Sequence, residues 1–318
     1  EGRGRRSVHI KKLDIQHFFY IGGNDSMDTI KQLSEYAKAK NITDITFMGV
    51  PKTIDNDLAV TDHTPGYGSA AKYIASTMKE IIRDALVQPI KIVNIIEIMG
   101  RNAGWLTAAS ALAKGDDCEG VDLIYLPETV FDINKFVAKV QEIQKTKKQI
   151  VVAVSEGVKT ADGKYVCESA SSNMLVDSFG HKQLSGTASA LANVISNEIG
   201  CKTRAIEFST IQRCASHIAS LTDVNEAFIV GGIAVKAAFD GETGKVGIFQ
   251  RLSNKPYLMG TSIYDVNAIA NVEKTVPQEW IINDGTGVSQ EALDYMRPLI
   301  QGEIYPYMVD GLPRHIKL

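Results

Sequence analysis

The chain has 318 residues, with 34 Lys and Arg against 37 Asp and Glu and a formal net charge of −3. At about 100–200 residues per domain this length predicts two domains, each large enough to bury a core. A hydrophobic content of 44% with 22% charged residues excludes a disordered chain, a collagen-like repeat and a coiled-coil rod, and the balanced charge excludes a general nucleic-acid binder.

The opening stretch, Glu1 to Lys12, is basic and lacks the apolar core of a secretory signal. His17 to Ile21 is a short apolar and aromatic run that stops at Gly22-Gly23, the pattern of a buried strand entering a tight turn. Helical spacing follows over Asp28 to Lys40, with Ile30, Leu33 and Tyr36/Ala37 on one face. Ile45 to Val50 predicts the next strand, ended by Pro51. Ala70 to Ala85 predicts a long helix, Ile92 to Met99 an apolar strand, and Trp105 to Ala113 a helix. A strand at Leu123 to Leu126, a helix at Phe136 to Lys145 and a strand at Ile150 to Val154 complete a βαβα rhythm. Such a rhythm predicts an α/β fold with a mainly parallel sheet covered by helices on both faces. The stretch Gly163 to Gly200, rich in Ser, Ala and Asn, is a candidate helical insertion. Gly115-Asp116-Asp117 breaks a helix, which sets an approximate boundary between a domain 1–117 and a domain 118–318, with late segments crossing back.

No run reaches the about 18 apolar residues of a membrane span, so a membrane partner is not expected. Cys118, Cys167, Cys201 and Cys214 form no C-x-x-C pair, which predicts reduced thiols in a cytoplasmic protein rather than a zinc or redox motif.

In parallel sheets ligands bind at the carboxyl ends of strands. Four predicted strand ends carry glycine or carboxylate clusters. The first, Gly22-Gly23-Asn24-Asp25-Ser26, lets backbone approach an anion at a helix start; it also suits a plain turn with Ser26 as a cap. It is not a Walker loop, because no Gly-Lys-Ser/Thr follows. The second, Pro51-Lys52-Thr53-Ile54-Asp55-Asn56-Asp57, packs a cation and two carboxylates into one loop. Phosphoryl transfer to an alcohol needs that set: one carboxylate takes the hydroxyl proton while a cation stabilises the transferred group. A solvated turn is the plainer alternative. The third, Met99-Gly100-Arg101-Asn102-Ala103-Gly104, offers an arginine suited to phosphate, and the fourth is Ser155-Glu156-Gly157. Thr203-Arg204 and Gln212-Arg213 add two arginines, which suit either a phosphate clamp or surface salt bridges. No G-x-G-x-x-G with an acidic residue about 20 positions on is present, which argues against a dinucleotide-binding dehydrogenase.

With these segments in hand, the chain resembles the phosphofructokinases, and among them the diphosphate-dependent type. The likeness runs from about His17 to the C-terminus. It is carried by Pro51 to Asp57 and Met99-Gly100-Arg101, with Ile211-Gln212-Arg213 and Pro298 to Glu303 in agreement. It implies two Rossmann-like three-layer domains with the active site in the cleft between them, a donor-binding N-terminal domain and a fructose 6-phosphate-binding C-terminal domain. It implies reversible transfer from diphosphate to the C1 hydroxyl of fructose 6-phosphate, with Mg2+. Asp55 matches the base, and Lys52 and Arg101 stand at the transferred phosphoryl. Thr53, Asp57, Met99, Gly100, Glu156, Arg204, Thr210 and Arg213 match the sugar-phosphate site. Gly22, Gly23, Asp25, Ser26 and Lys52 match the diphosphate site, and Asn24 and Asp57 the metal site. ATP-dependent relatives carry glycine in place of Asp25 and Lys52, so both residues point to diphosphate; a carboxylate at Asp25 would repel a nucleotide's α-phosphate. One clamp arginine comes from a neighbouring subunit in the family, which implies a homo-oligomer. Asn24 stands where many relatives have Asp, and Thr210 where many have His or Tyr. The family also opens with a strand and a glycine-rich loop ahead of residue 17. Arg3, Arg5 or Arg6 is a candidate remnant of that donor site, or part of a tail without a role. An ATP-dependent kinase and a non-catalytic sugar-phosphate-binding subunit are the alternatives.

Overall fold

The computed structural model describes residues 13–169 and 184–317. In chain order it forms β1 (His17–Gly22), α1 (Asn24–Ala39), β2 (Thr46–Pro51), α2 (Tyr67–Leu86), β3 (Ile92–Ile98) and α3 (Trp105–Ala108). Then come β4 (Leu123–Tyr125), α4 (Ile133–Ile143), β5 (Gln149–Ser155), α5 (Thr187–Ile199) and β6 (Lys202–Glu207). The last large elements are α6 (Leu221–Phe239), β7 (Lys245–Asn254), β8 (Tyr257–Asp265) and α7 (Gln290–Met296). Arg3, Arg5 and Arg6 lie outside the described residues, as does the middle of the Gly163–Gly200 stretch. The described part of that stretch contains the 3-10 turn Val166–Ser169 and α5.

Two compact units result. One joins the chain up to Gly68 with Leu221–Lys274; the other joins Ser69–Ser220 with the chain from Thr275 onward. This division differs from a single boundary at residue 117. Gly115 and Cys118 exchange backbone hydrogen bonds in a local turn, so the helix break there is a bend inside the second unit.

The first unit holds the sheet β1-β2-β7-β8. β1, β2 and β7 run parallel, while β8 returns antiparallel to β7 as a hairpin. Alternation along β2 puts its side chains into two clusters. Phe47 packs with Met27, Ile30 and Leu33 of α1. Met48 packs with Ala237 and Ala238 of α6. Helices therefore cover both faces of this sheet. Phe47 and Met48 are 1% and 0% exposed, and truncating a buried phenylalanine costs about 3–5 kcal/mol.

The second unit holds the sheet β4-β5-β3-β6, every pair parallel. β3 is central and buried along its whole length, its polar Asn94 and Glu97 included. Val93 and Ile95 pack with Phe136 and Val140 of α4 and Ala188, Leu191 and Ile195 of α5. Asp132 caps α4 by accepting the Lys135 N–H at 3.0 Å, which starts that helix before Phe136. The terminal Pro298–Glu303 segment is tied down by Lys72, whose Nζ donates to the Gly302 carbonyl at 2.6 Å and to Glu303 Oε2 at 2.9 Å. No helix among the described residues is long and apolar enough to cross a membrane.

Candidate active site

Parallel pairing of β1 with β2 sets Gly22 opposite Pro51, so two of the four strand ends lie side by side. The Lys52 N–H donates to the Gly22 carbonyl at 3.0 Å. α1 starts at Asn24, four residues before the expected Asp28, because nothing in Asn24–Met27 breaks a helix and the extended Gly23 serves as its N-cap. No side chain caps it, so Ser26 is not the cap. Instead Ser26 packs on Gly22, where an added Cβ would stand 2.1 Å from Ser26 Oγ. Asp25 is exposed in the first turn, where the helix dipole favours a carboxylate. Lys52 is exposed on the neighbouring strand end.

Asn24 has a different use from the metal role expected of it. Its Oδ1 accepts the Asn271 N–H at 3.0 Å, and its Nδ2 reaches the Val272 carbonyl at 3.4 Å. Its amide ties the start of α1 to the 271–272 turn.

The second loop is held at both ends. Thr53 is buried; its N–H donates to the Pro65 carbonyl at 3.1 Å, and its carbonyl accepts the Thr64 hydroxyl at 2.7 Å. Thr53 Oγ1 accepts the Asp55 N–H at 3.1 Å, which turns the chain at the candidate base. Asn56 follows in the left-handed region, at φ 56°, and is fully buried. Asp57 comes next, and its Oδ1 is buried with no hydrogen-bond partner among the described residues. Burial, then the nearby Asp55 charge, pushes the Asp57 carboxyl up to about 6. A buried carboxylate oxygen without a donor, beside a second carboxylate, is the donor set a hard divalent cation completes. The residues present therefore fit Mg2+ at Asp57.

Behind this loop lies a polar network with no local signal in the sequence. Lys274 Nζ donates to Asn56 Oδ1 at 3.3 Å, although the two residues are 218 apart in the chain. Arg251 Nη2 bonds Asp62 Oδ2 at 2.8 Å. His63, 1% exposed, stands between Asp62 Oδ2 at 2.9 Å and Glu226 Oε2 at 2.7 Å, stacked on Phe249. Tyr257 Oη donates to Glu226 Oε1 at 2.7 Å.

The second unit gathers the other candidates. β3 pairs with β5 so that Ile98 faces Ser155, which brings Met99–Arg101 beside Glu156 and Gly157. The Glu156 N–H donates to the Ile98 carbonyl at 2.9 Å, and Glu156 Oε1 accepts the Gly100 N–H at 3.4 Å. The Ser155 hydroxyl donates to the Gly100 carbonyl. A Cβ at Gly157 would stand 1.9 Å from the Arg101 carbonyl oxygen, so only glycine permits this approach. On the other side of β3, β6 ends at Glu207 opposite Glu97 and leads into the 3-10 turn Ser209–Arg213. Gln212, absent from the expected set, joins that turn to the Met99 segment. Its Oε1 accepts the Met99 N–H at 3.2 Å and its Nε2 donates to the Ser209 carbonyl at 3.0 Å. Thr210 and Arg213 are exposed on the same turn.

Arg204 is not brought there. It lies in mid-β6 opposite Asn94, three residues and roughly 10 Å from the strand end at Glu207. Its guanidinium pairs with Asp84 of α2 at 3.0 Å.

The phosphofructokinase family model matches residues 1–214. A pyrophosphate–fructose 6-phosphate 1-phosphotransferase of Xanthomonas campestris is 42% identical over 312 residues, 97% of this chain and 74% of that protein. The enzyme of that name from Halomonas elongata is 39% identical, over 96% of this chain and 72% of its own length. Among solved structures, a pyrophosphate-dependent phosphofructokinase from Nitrosospira multiformis is 36% identical and superposes with a TM-score of 0.87, over 99% of this chain and 76% of that one. With strand-end loops at the motif positions and a relative of this identity and coverage, the chain belongs to the phosphofructokinase family.

Proposed function

We propose that the protein transfers a phosphoryl group reversibly from diphosphate to the C1 hydroxyl of fructose 6-phosphate, giving fructose 1,6-bisphosphate and phosphate, a step of glycolysis. The observation that carries this reading is the Thr53–Asp57 turn, which presents two carboxylates, one of them with a buried oxygen lacking a donor. Asp55 takes the proton of the C1 hydroxyl. The alkoxide oxygen then bonds the terminal phosphorus of diphosphate as the bridging P–O bond breaks, and phosphate leaves. Lys52 and Arg101 stabilise charge on the transferred group, and Thr53 orients Asp55 through the bond to its N–H. Asp57 would hold Mg2+, which supplies charge neutralisation to the phosphoryl oxygens. Gly22, Gly23, Asp25 and Ser26 form the diphosphate side. Met99, Gly100, Arg101, Glu156, Thr210 and Arg213 form the sugar-phosphate side. Because both donor and product are phosphoryl compounds of similar transfer potential, the reaction runs in both directions. Arg204, set apart from that group on β6, fits a contribution to a neighbouring copy, and the working form is a cytoplasmic homo-oligomer.

A coupled assay with fructose 6-phosphate, Mg2+ and either diphosphate or ATP tests the reading. Turnover with diphosphate and little with ATP is expected, and Asp55→Ser lowers kcat by about 10²–10⁴ while calorimetry still registers fructose 6-phosphate. Turnover with ATP alone overturns the donor assignment. Binding of the sugar phosphate without turnover on either donor overturns catalysis.

A further inference from the structure

Lys274 stands under the carboxylate loop with no part in the steps above. Its ammonium has three donors, and three loop acceptors meet them: Asn56 Oδ1 at 3.3 Å, the Thr61 carbonyl at 3.1 Å and the Asp62 carbonyl at 2.8 Å. Its backbone N–H donates to the Asp57 carbonyl at 2.7 Å, and the preceding Glu273 bridges Leu58 in antiparallel fashion. The residue thus grips the loop at both ends, while its neighbour Glu273 holds Leu58 between them. Asn56, between the two carboxylates, sits at φ 56°, a conformation that an asparagine tolerates but that needs outside support. Burial pushes the Lys274 ammonium down to about 8, so its placement is costly for a surface-type side chain. An apolar residue there would leave three inward oxygens without this donor.

We propose that Lys274 is a positioning residue, which fixes the 55–62 turn through Asn56, Thr61 and Asp62 so that Asp55 and Asp57 keep the spacing the reaction requires. This inference rests on the function proposed above. Lys274→Met keeps the length of the stem and removes the donors. It should lower kcat about 10²-fold, the scale of a misplaced reacting group, with the KM for fructose 6-phosphate changed by less than about threefold. Hydrogen exchange of the full chain should speed up over residues 51–62. Val140→Ala, in the α4 core of the second unit, is the control: it should lower the melting temperature and leave kcat and that exchange as in the parent. A Lys274→Met protein with parental kcat and parental exchange overturns the proposal. So does one that loses kcat only in proportion to its fall in melting temperature. If Lys274→Met does not fold, Asn56→Gly removes the Oδ1 acceptor while accepting the positive φ; it should lower kcat by about tenfold, and parental kcat in that variant overturns the proposal. If the parent itself lacks turnover with diphosphate, the functional reading fails, and exchange over residues 51–62 alone decides whether Lys274 holds the loop.

Discussion

Asp25, in the first turn of α1, and Lys52, just past the end of β2, are both exposed, with opposite charge. A charge-assisted hydrogen bond to a phosphate oxygen contributes about 1.5–3 kcal/mol, which is about 10–100-fold in affinity. Lys52→Gly should therefore raise the KM for diphosphate by that factor and leave the KM for fructose 6-phosphate unchanged. Steady-state kinetics with each substrate varied in turn will decide; an equal effect on both would remove Lys52 from the donor side. Gly157 makes a sharper case. Its Cβ would overlap the Arg101 carbonyl, which has no flexible end to give way. Gly157→Ala must shift the Arg101 backbone, so a fall in kcat/KM for fructose 6-phosphate of about 10²-fold is expected. Parental kinetics in that variant would mean that the Arg101 backbone can move without consequence. These residues were legible because each lies within a few positions of a strand end, where residue type and loop chemistry coincide. Lys274 and Gln212 were not. Their partners, Asn56 and Met99, lie far away in sequence, and a lone Lys or Gln in a loop has no pattern of its own.

At the level of elements, short apolar runs located β1 to β5, and helical spacing located α1, α2 and α4, to within a few residues. The ends depended on caps rather than on periodicity: Gly23 for α1 and Asp132 for α4. The predicted helix from Trp105 to Ala113 is one α-turn that tightens into a 3-10 turn at Ala109, a change its apolar, alanine-rich sequence does not signal. Strand register explains why chemistry collects where it does. Pairing of Gly22 with Pro51, and of Ile98 with Ser155, turns four separate motifs into two adjacent pairs. Register also separates Arg204 from Arg213, although they are only nine positions apart. The 3-10 turn bearing Arg213 depends on Gln212. Gln212→Ala removes one acceptor and one donor, so the turn loosens from Met99. The KM for fructose 6-phosphate should rise about tenfold with the KM for diphosphate unchanged, and Gln212→Glu, which keeps the acceptor for Met99, should recover part of the loss. A rise in both constants would assign Gln212 to general stability instead.

For the whole molecule, the chain returns to its first unit at Leu221, after a complete βαβ sequence in the second, and leaves it again after Lys274. Composition does not mark those crossings, because each falls in or beside ordinary loops and helix ends. Each unit nonetheless encloses an ionisable group whose pKa the fold raises, and both act in the same direction on stability. In the second unit Glu97 is 4% exposed; burial pushes its carboxyl up to about 7, against the opposing bond from the Ala188 N–H at 2.9 Å. In the first unit burial disfavours a charged His63, but the bonds to Asp62 and Glu226 outweigh it and hold its pKa above the ordinary 6.5. Both groups bind protons more tightly folded than unfolded. The folded state is therefore favoured at lower pH: the Glu97 contribution falls from its ordinary 4.5 up to about 7, and the His63 contribution falls as pH rises through its raised value. Asp62, held below 3.8 by His63 and Arg251 despite burial, works the other way only in the acid range. The melting temperature should then decline from about pH 5 to about pH 7, with Glu97 accounting for on the order of 3 kcal/mol of the change and Asp57, raised to about 6, adding to its lower part. Glu97→Gln keeps an oxygen for the Ala188 N–H and cannot titrate, so it should make the decline shallower and leave the parts that belong to Asp57 and His63. A parent whose melting temperature rises across this range would show that neither group governs the balance, and a Glu97→Gln profile parallel to the parent's would remove Glu97 from it.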